Sequence, residues 1–244
     1  MRINSIQNNY NNIAHKSFSR TVYSNVADGI VKHKNNTMLY RNDMDWQSLI
    51  KFLAEKYKNV DKVHIFDYAC SNGSEAYTIL MNLFTYFDDN TLKKFTPIIA
   101  RDYDEFVIHI ANLKTLTIDS DEQDYINIHT GNKFYEYFTL LSKILKKYEP
   151  NPKLTNNVIF QVGDITQDYE KLPKENVVLF VRNMWPYLKF EEQQSLPRRL
   201  CHHFDKNTTI IIGRYDLRTQ KYSDFIENGF ELADVNSRGA IFAK

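Results

Sequence analysis

The sequence predicts an α/β fold with a doubly wound, mostly parallel sheet, and the order of its apolar segments is the reason. From residue 63 onward, short apolar runs alternate with stretches of helical periodicity, which is the pattern of strands joined by crossover helices. Three runs are continuous rather than alternating, as expected of strands buried on both faces. They lie at residues 158–162, 177–181 and 208–212. Two final strands, at 230–235 and 239–243, predict an antiparallel C-terminal hairpin.

The N-terminal part is predicted to be a polar arm followed by a short helical segment. Residues 1–15 are rich in Asn and Ser, a composition typical of poorly ordered chain. Apolar residues then recur every four positions, which indicates a short helix. These residues are Phe18, Val22, Val26 and Ile30. The expected division is an N-terminal arm and segment at 1–42 and a main domain at 43–244.

Capping residues and apolar stripes predict the helices of the main domain. Asn42 or Asp43 can cap the first helix, and Asp104 can cap a later one. The first helix carries one apolar stripe, formed by Trp46, Leu49, Ile50, Leu53 and Tyr57. The remaining helices are predicted at 74–87, 190–204 and 217–227, and two further strands at 63–66 and 97–100.

One segment interrupts this alternation. Residues 119–157 are too long for a simple connection in a compact domain, and they include the aromatic cluster 134–138. We interpret the segment as an insertion that faces the substrate, and decoration without function fits the same pattern.

Composition excludes several classes of function. The formal net charge is +1, so no overall field attracts a nucleic acid, and no nucleic-acid partner is expected. Cys70 and Cys201 form no disulfide framework, and the adjacent His202 and His203 point in different directions on a helix, so no metal site is expected. No apolar run reaches membrane-spanning length, so we expect a cytoplasmic protein without membrane insertion. The pair Lys146-Lys147 is interpreted as part of a solvated face.

The stretch 63–75 (VHIFDYACSNGSE) is the most informative part of the chain. An apolar strand ends at Asp67, passes through Ala69 and a single glycine, Gly73, and enters a helix at Glu75. Dinucleotide folds need several glycines in this turn, and a P-loop needs Gly-Lys-Ser/Thr, which this sequence lacks. The turn therefore favours a nucleoside ligand without phosphates, and S-adenosylmethionine is the candidate cofactor.

Polar residues follow the other predicted strands at the edge where ligands bind in such sheets. Asp102 ends the second strand and can accept two hydrogen bonds from a ribose diol. Asp164 follows the third strand and could reach an adenine amine, while Ile165 could lie on the ring. The fourth strand ends in the segment 182–187 (RNMWPY).

These motifs together resemble the CheR-type chemoreceptor glutamate O-methyltransferases, a family of S-adenosylmethionine-dependent enzymes. The segments that carry the resemblance are 35–41 (NNTMLYR), 69–77 (ACSNGSEAY), 102–104 (DYD) and 182–188 (RNMWPYL). Leu39 and Ala76 depart from the family pattern, as do Asp164-Ile165, where Asn-Leu is usual, and residues 213–216 (GRYD), which lack its Ser-Glu ending.

The resemblance implies a role for individual residues. It implies that Asn35, Thr37 and Arg41 touch the cofactor or shape the methyl-transfer end of the site. Around the cofactor it implies Glu75, Asp102, Asp164, Ile165, Arg182 and Asn183. The strand-to-helix turn adds Asp67, Ala69 and Gly73 as cofactor-binding candidates. The catalytic residues would be Arg41 and Tyr187, the latter as an aromatic that lines the transfer site.

A carboxylate acceptor, either a protein glutamate or a small acid, agrees with these residues. A carboxylate has a pKa of about 4.3 and is already ionised at neutral pH, so its methylation needs no general base. Arg41 could hold the carboxylate through paired hydrogen bonds, and Tyr187 could lie near the sulfonium.

Two alternatives remain open at this point. One is an N-methyltransferase that acts on a nucleobase or protein amide, because Asn183–Tyr187 resembles the Asn/Asp-Pro-Pro-Tyr turn with one additional residue. The other is a non-catalytic module that binds the cofactor or serves as a scaffold.

Overall fold

A computed structural model describes residues 20–26, 29–35, 37–41, 44–214, 216, 222–233 and 239–244. The chain divides into two compact units, Met1–Asn36 and Thr37–Lys244. The first unit contains strands β1 (Arg20–Val26) and β2 (Gly29–Asn35), which pair antiparallel with Arg20 opposite Asn35.

The predicted helix in this region is therefore wrong across the described residues. A spacing of four residues fits one face of a helix, but it is also a multiple of the two-residue period of a strand. Thr21, Val22 and Tyr23 are β-branched or aromatic, and such residues favour strands. The predicted polar arm at 1–15 and Phe18 lie outside the described residues.

The second unit is built on a seven-stranded sheet with helices around it. Its strands are β3 (His64–Tyr68), β4 (Ile98–Asp102), β8 (Val158–Val162), β9 (Val177–Phe180), β10 (Thr208–Ile212), β11 (Glu231–Leu232) and β12 (Ala240–Ala243). A separate three-stranded sheet contains β5 (Leu116–Thr117), β6 (Phe138–Ser142) and β7 (Lys147–Pro150). The longer helices are α1 (Trp46–Lys56), α2 (Ser74–Tyr86), α3 (Asp89–Phe95), α4 (Glu105–Asn112), α5 (Ser120–Thr130) and α9 (Phe190–His203). The shorter helices are α6 (Phe134–Tyr137), α7 (Pro152–Thr155), α8 (Ile165–Asp168) and α10 (Tyr222–Ile226), with 3₁₀ turns at Tyr169–Lys171 and Trp185–Tyr187.

The strand order is β11-β12-β10-β9-β3-β4-β8. All neighbouring pairs from β10 to β8 are parallel, whereas β12 is antiparallel to both β10 and β11. This arrangement confirms the predicted mostly parallel sheet with an antiparallel C-terminal hairpin. The chain proceeds outward from β3 in one direction through β4 to β8, and then in the other direction through β9 to β10. The switch point lies between β3 and β9, which is where such sheets bind ligands.

Hydrophobic clusters cover the two faces of this sheet. Ile65 belongs to one cluster, with α1 and α2, and the adjacent Phe66 belongs to the other, with α9 and α10. Successive residues of a strand point to opposite faces, so β3 is buried from both sides. The strand β8 differs from the prediction because it lies at the sheet edge, where Ile159 and Val162 are exposed.

Aspartate side chains cap the N-termini of α4 and α1. Asp104 caps α4 as predicted, with its side chain accepting from the N–H of Phe106 at 2.9 Å. The cap of α1 is Asp45, whose side chain accepts from the N–H of Ser48 at 3.0 Å. The predicted caps Asn42 and Asp43 lie outside the described residues. Among the described residues, no helix is both long enough and apolar enough to cross a bilayer.

Candidate functional site

The candidate site lies at the carboxyl ends of β3, β4 and β9, beside the switch point. Asp67, near the end of β3, pairs with Ala100 of β4 on one side and Phe180 of β9 on the other. Because parallel strands end at the same edge, the residues that follow these strands converge there. The sequence motifs at Asp67, Asp102 and Arg182 are therefore brought together as predicted from the strand order.

The loop from β3 to α2 has an unusual backbone. Ala69, Ser71 and Gly73 have φ values of 60°, 55° and 89°, in the left-handed region that L side chains rarely adopt. Gly73 precedes α2, and a Cβ there would lie 2.6 Å from Cζ of Phe160. Only glycine fits at this position. Ala69 is exposed at the same edge.

Asp102 holds this loop in place. Its Oδ2 accepts from the N–H of Ser71 at 2.9 Å, and its Oδ1 accepts from the N–H of Asp104 at 3.1 Å. The side chain is buried, and burial raises the pKa of its carboxyl group above the usual value. Each carboxylate oxygen accepts more than one hydrogen bond, so both retain capacity for a diol.

Glu75 and Arg182 form an ion pair across the switch point. Arg182 Nη1 lies 3.0 Å from Glu75 Oε2, and the arginine side chain is fully buried. The guanidinium also lies 5.2 Å from the ring centre of Trp46 on α1. The pair joins the first turn of α2 to the end of β9.

Asp67 is a fully buried acid next to this pair. Within the described residues, neither of its carboxylate oxygens has a hydrogen-bond partner. Burial raises the pKa of Asp67 well above its usual value, Glu75 raises it further, and Arg182 offsets part of the effect. A buried acid without partners is costly unless it is protonated or a cation approaches it.

Asp216 is a site residue that sequence reasoning missed. Its Oδ2 accepts from the N–H groups of Asn183 (2.5 Å) and Gly213 (2.9 Å), and its Oδ1 accepts from that of Trp185 (3.1 Å). The carboxylate thereby joins the loop after β9 to the loop after β10. Burial raises the pKa of Asp216 to about 7, against the lowering effect of these hydrogen bonds and of Arg182.

Asn183 has a left-handed backbone, with φ of 59°. Its amide oxygen and nitrogen are buried, and neither has a hydrogen-bond partner within the described part of the chain. Gly213 leaves room for this side chain, because a Cβ there would lie 3.0 Å from Asn183 Oδ1. In the same loop Tyr187 is 64% exposed, so its ring is accessible from solvent.

The segment that carries Thr37 and Arg41 packs on α2 and α5. The N–H of Tyr40 donates to Oγ1 of Thr78 at 3.0 Å, and that of Leu39 donates to Oε1 of Glu122 at 3.0 Å. Thr78 lies one turn into α2, so the segment contacts this helix at the residue before Arg41. Thr37 is buried and Arg41 is half-buried.

His129 of the insertion was not singled out from the sequence. Its ring stacks on that of Tyr40 with centroids 4.8 Å apart, and burial lowers its pKa.

Three residues predicted to bind the cofactor lie in surroundings that do not test this role. Asp164 caps α8, and its Oδ1 accepts from both the N–H and the Oγ1 hydroxyl of Thr166. Ile165 is 1% exposed and packs in the cluster that contains Phe66. Asn35 ends β2 in the first unit. Their roles toward an adenine or the cofactor stay predictions.

These residues fit a cationic nucleoside. S-adenosylmethionine presents a ribose diol, a sulfonium and an ammonium group. Asp102 offers acceptors for the diol, and the buried, unpartnered Asp67 lies where positive charge is favourable. In the part of the chain that the structure describes, no cluster of His, Cys, Asp or Glu side chains could hold a metal ion.

This chain is similar to known proteins. Residues 35–228 match the family model "CheR methyltransferase, SAM binding domain". A chemotaxis protein methyltransferase of Borreliella burgdorferi is 23% identical over 201 residues, which cover 79% of this chain and 68% of that protein.

Among solved structures, magnesium protoporphyrin IX methyltransferase from Synechocystis PCC 6803 with bound S-adenosylmethionine is 13% identical, with a TM-score of 0.40, over 81% of this chain and 77% of that one. A TehB-like S-adenosylmethionine-dependent methyltransferase from Corynebacterium glutamicum is 14% identical, with a TM-score of 0.41, over 82% of this chain and 94% of that one.

The family match covers most of the chain and includes every strand-end motif of the site. Its description names a domain that binds S-adenosylmethionine, which is the cofactor of this protein. The chain belongs to the CheR family of S-adenosylmethionine-dependent methyltransferases.

Proposed function

We propose that this enzyme methylates a carboxylate of a protein, with a glutamate side chain as the acceptor. The family membership and the name of the Borreliella burgdorferi relative, a chemotaxis protein methyltransferase, support a protein acceptor. The observation that supports a carboxylate is a half-buried arginine, Arg41, directly after residues that are hydrogen-bonded to α5 and α2. Its guanidinium would supply a cation that attracts an anionic acceptor.

Arg41 receives its position from its neighbours in the chain. The backbone bonds of Leu39 and Tyr40 to Glu122 and Thr78 hold the preceding residues on α5 and α2. A guanidinium can bind a carboxylate through two parallel hydrogen bonds, which also orients the attacking oxygen. Arg41 would therefore both attract the acceptor and align it.

Alignment is the main requirement of this reaction. Bound S-adenosylmethionine supplies an electrophilic methyl group. A carboxylate is ionised at neutral pH and needs no proton removed, so the protein contributes chiefly position and exclusion of water. Tyr187, exposed on the loop after β9, would close the site when the acceptor binds and place its ring near positive charge.

One observation favours an N-methyltransferase instead. The buried amide of Asn183 has no hydrogen-bond partner within the described residues, and an amide of this kind can bind a planar amine. His129 would be the candidate base for an acceptor that must lose a proton, because its lowered pKa keeps it neutral.

The type of methylated product distinguishes these acceptors. The enzyme is incubated with S-adenosylmethionine that carries a labelled methyl group and with candidate acceptor proteins, and the labelled protein is treated with mild alkali. A methyl ester releases its label as volatile methanol, whereas an N-methyl group remains on the protein. Label that stays bound after alkali treatment would contradict the proposal.

Two variants separate the roles of the residues. Arg41→Ala should lower the rate of transfer roughly 10- to 100-fold while binding of S-adenosylhomocysteine remains detectable, because charge-assisted hydrogen bonds contribute roughly 1.5–3 kcal/mol. His129→Phe keeps the stacking on Tyr40 but removes the base, and it should leave the rate within about threefold, since a carboxylate needs no base. Loss of activity in His129→Phe would support the N-methyl alternative.

A further inference from the structure

The hairpin of β6 and β7 ends in a turn with unusual composition. The turn is Lys143-Ile144-Leu145-Lys146, and the N–H of Lys146 donates to the carbonyl of Lys143 at 3.4 Å. The N–H of Leu145 also donates to Oγ of Ser142 at 3.3 Å. Turns of this kind favour Gly, Asn, Asp, Pro and Ser at their central positions. Here the central positions hold isoleucine and leucine.

These apolar side chains are open to solvent. Ile144 is 93% exposed and Leu145 is 58% exposed. Folding of this chain alone therefore gains little from their apolar character, although each side chain costs solubility. Residues that contradict local preferences without a gain in folding are expected at functional sites.

The apolar surface continues along β6. Leu140 and Leu141 are 44% and 53% exposed, next to a shift in the strand register between Leu140 and Ser142. The tip, which we define as residues 140–147, thus exposes four apolar side chains, two along β6 and two at the turn.

The charge of the tip has a single sign. Lys143, Lys146 and Lys147 are exposed, and the nearest acids in the sequence are Glu136 and Glu149, outside the tip. The whole chain has a net charge of only +1, so this cluster of cations is local. Apolar side chains at an end surrounded by lysines match a layer of anionic headgroups above acyl chains.

We propose that the 140–147 tip docks on an anionic lipid surface. Ile144 and Leu145 enter the boundary between headgroups and acyl chains, and the three lysines contact lipid phosphates and carboxylates. The proposal replaces the interpretation of Lys146-Lys147 as a purely solvated face. It requires no membrane-spanning helix, and it does not depend on which acceptor the enzyme methylates.

Co-sedimentation of the full chain with vesicles tests this directly. Vesicles of phosphatidylcholine with 30–40% phosphatidylserine, on the order of physiological anionic surfaces, should retain the protein at low salt. Vesicles of phosphatidylcholine alone should retain at least about tenfold less, and binding should weaken as salt is raised because exposed charges are screened.

Variants assign the binding to the tip. The double variant Ile144→Ser/Leu145→Ser and the double variant Lys143→Glu/Lys146→Glu should each reduce the partition coefficient at least about tenfold. Leu232→Ser and Lys206→Glu alter an exposed leucine and an exposed lysine elsewhere, and they should leave it unchanged. Binding of S-adenosylhomocysteine verifies that every variant is folded.

A fluorescent reporter measures how deeply the tip enters the lipid layer. Trp46 and Trp185 are buried, so Ile144→Trp adds an exposed indole whose emission should shift to shorter wavelength on anionic vesicles. Failure to bind phosphatidylserine vesicles, or binding that the tip variants do not change, would overturn the proposal. Absence of vesicle binding together with saturable, tip-dependent binding to a purified protein acceptor would assign the tip to a protein partner instead.

Discussion

Arg182 Nη1 and Glu75 Oε2 lie 3.0 Å apart and join the end of β9 to the start of α2. Asp67 is buried next to them and is influenced by both charges. The guanidinium is therefore the cation that makes an acidic site tolerable before a cofactor arrives.

Removing that cation should destabilise the fold. Arg182→Met removes the buried cation that pairs with Glu75 and offsets the charge of Asp67, and we expect the free energy of unfolding to fall by about 3–5 kcal/mol. Urea denaturation measures this change. The double variant Arg182→Met/Glu75→Gln should be more stable than the single arginine variant, because it also removes one of the two acidic charges that Arg182 offsets.

The exposed pair Glu55–Lys58 is the matched control. Its side chains are 75% and 58% exposed, so Lys58→Met should change the free energy of unfolding by less than about 1 kcal/mol. Equal effects of the two substitutions would show that Arg182 and Glu75 do not act as a buried pair.

Asp102 should determine affinity for the nucleoside. Asp102→Ala removes both acceptors for the ribose diol, and we expect the Kd of S-adenosylhomocysteine to rise roughly 10- to 100-fold, since hydrogen bonds to charged groups contribute about 1.5–3 kcal/mol. Calorimetry measures the Kd. Asp104→Ala, in the same loop, removes a helix cap and should lower stability by about 1 kcal/mol with little change in Kd.

Stability should depend on pH through Asp216. Its pKa is raised to about 7 in the folded chain and is about 3.9 in an unfolded one. The folded state therefore binds more protons between these values, and its stability falls as the pH rises from about 4 to about 7.

Asp216→Asn tests this dependence. Asparagine has only one acceptor oxygen, so it cannot accept all three N–H bonds that reach the two oxygens of Asp216, and the variant should be less stable than the parent at pH 5. The difference should shrink by on the order of 1–3 kcal/mol between pH 5 and pH 8, as measured by urea denaturation at each pH. A difference that stays constant over this pH range would contradict the raised pKa.

Ala69 should be more favourable as glycine. Its φ of 60° costs an L residue roughly 1–2 kcal/mol, part of which glycine loses again through its greater freedom in the unfolded chain. Ala69→Gly should therefore raise the free energy of unfolding by about 0.5–1 kcal/mol. Ala76→Gly, inside α2, should lower it by about 1 kcal/mol or more. A loss of stability in both variants would show that the loop conformation is not strained at Ala69.

The sequence was sufficient to locate most strands of the main sheet. The strands at residues 158–162 and 208–212 have the predicted bounds, because a short apolar run between polar residues is compatible with few other types of secondary structure. The edge position of β8 was not visible, since its residue types resemble those of a central strand. The hairpin of β1 and β2 was mistaken for a helix because its apolar residues, four positions apart, fit the period of a helix and also that of a strand.

Convergence of the site residues also followed from the sequence, because strand ends meet at one edge. The role of Asp216 could not be predicted from the sequence, because its partners are backbone N–H groups, which every residue except proline carries. The left-handed conformations of Ala69 and Asn183 were hidden for a similar reason: neither is a glycine, the residue that normally signals such a backbone.

The carboxylate of Asp216 also has a dynamic consequence. Three amide hydrogens, those of Asn183, Trp185 and Gly213, depend on the same side chain for protection from solvent. Hydrogen exchange at these amides should therefore occur through one shared opening event with a single free energy. The two loops that follow β9 and β10 would then open and close as one cooperative unit.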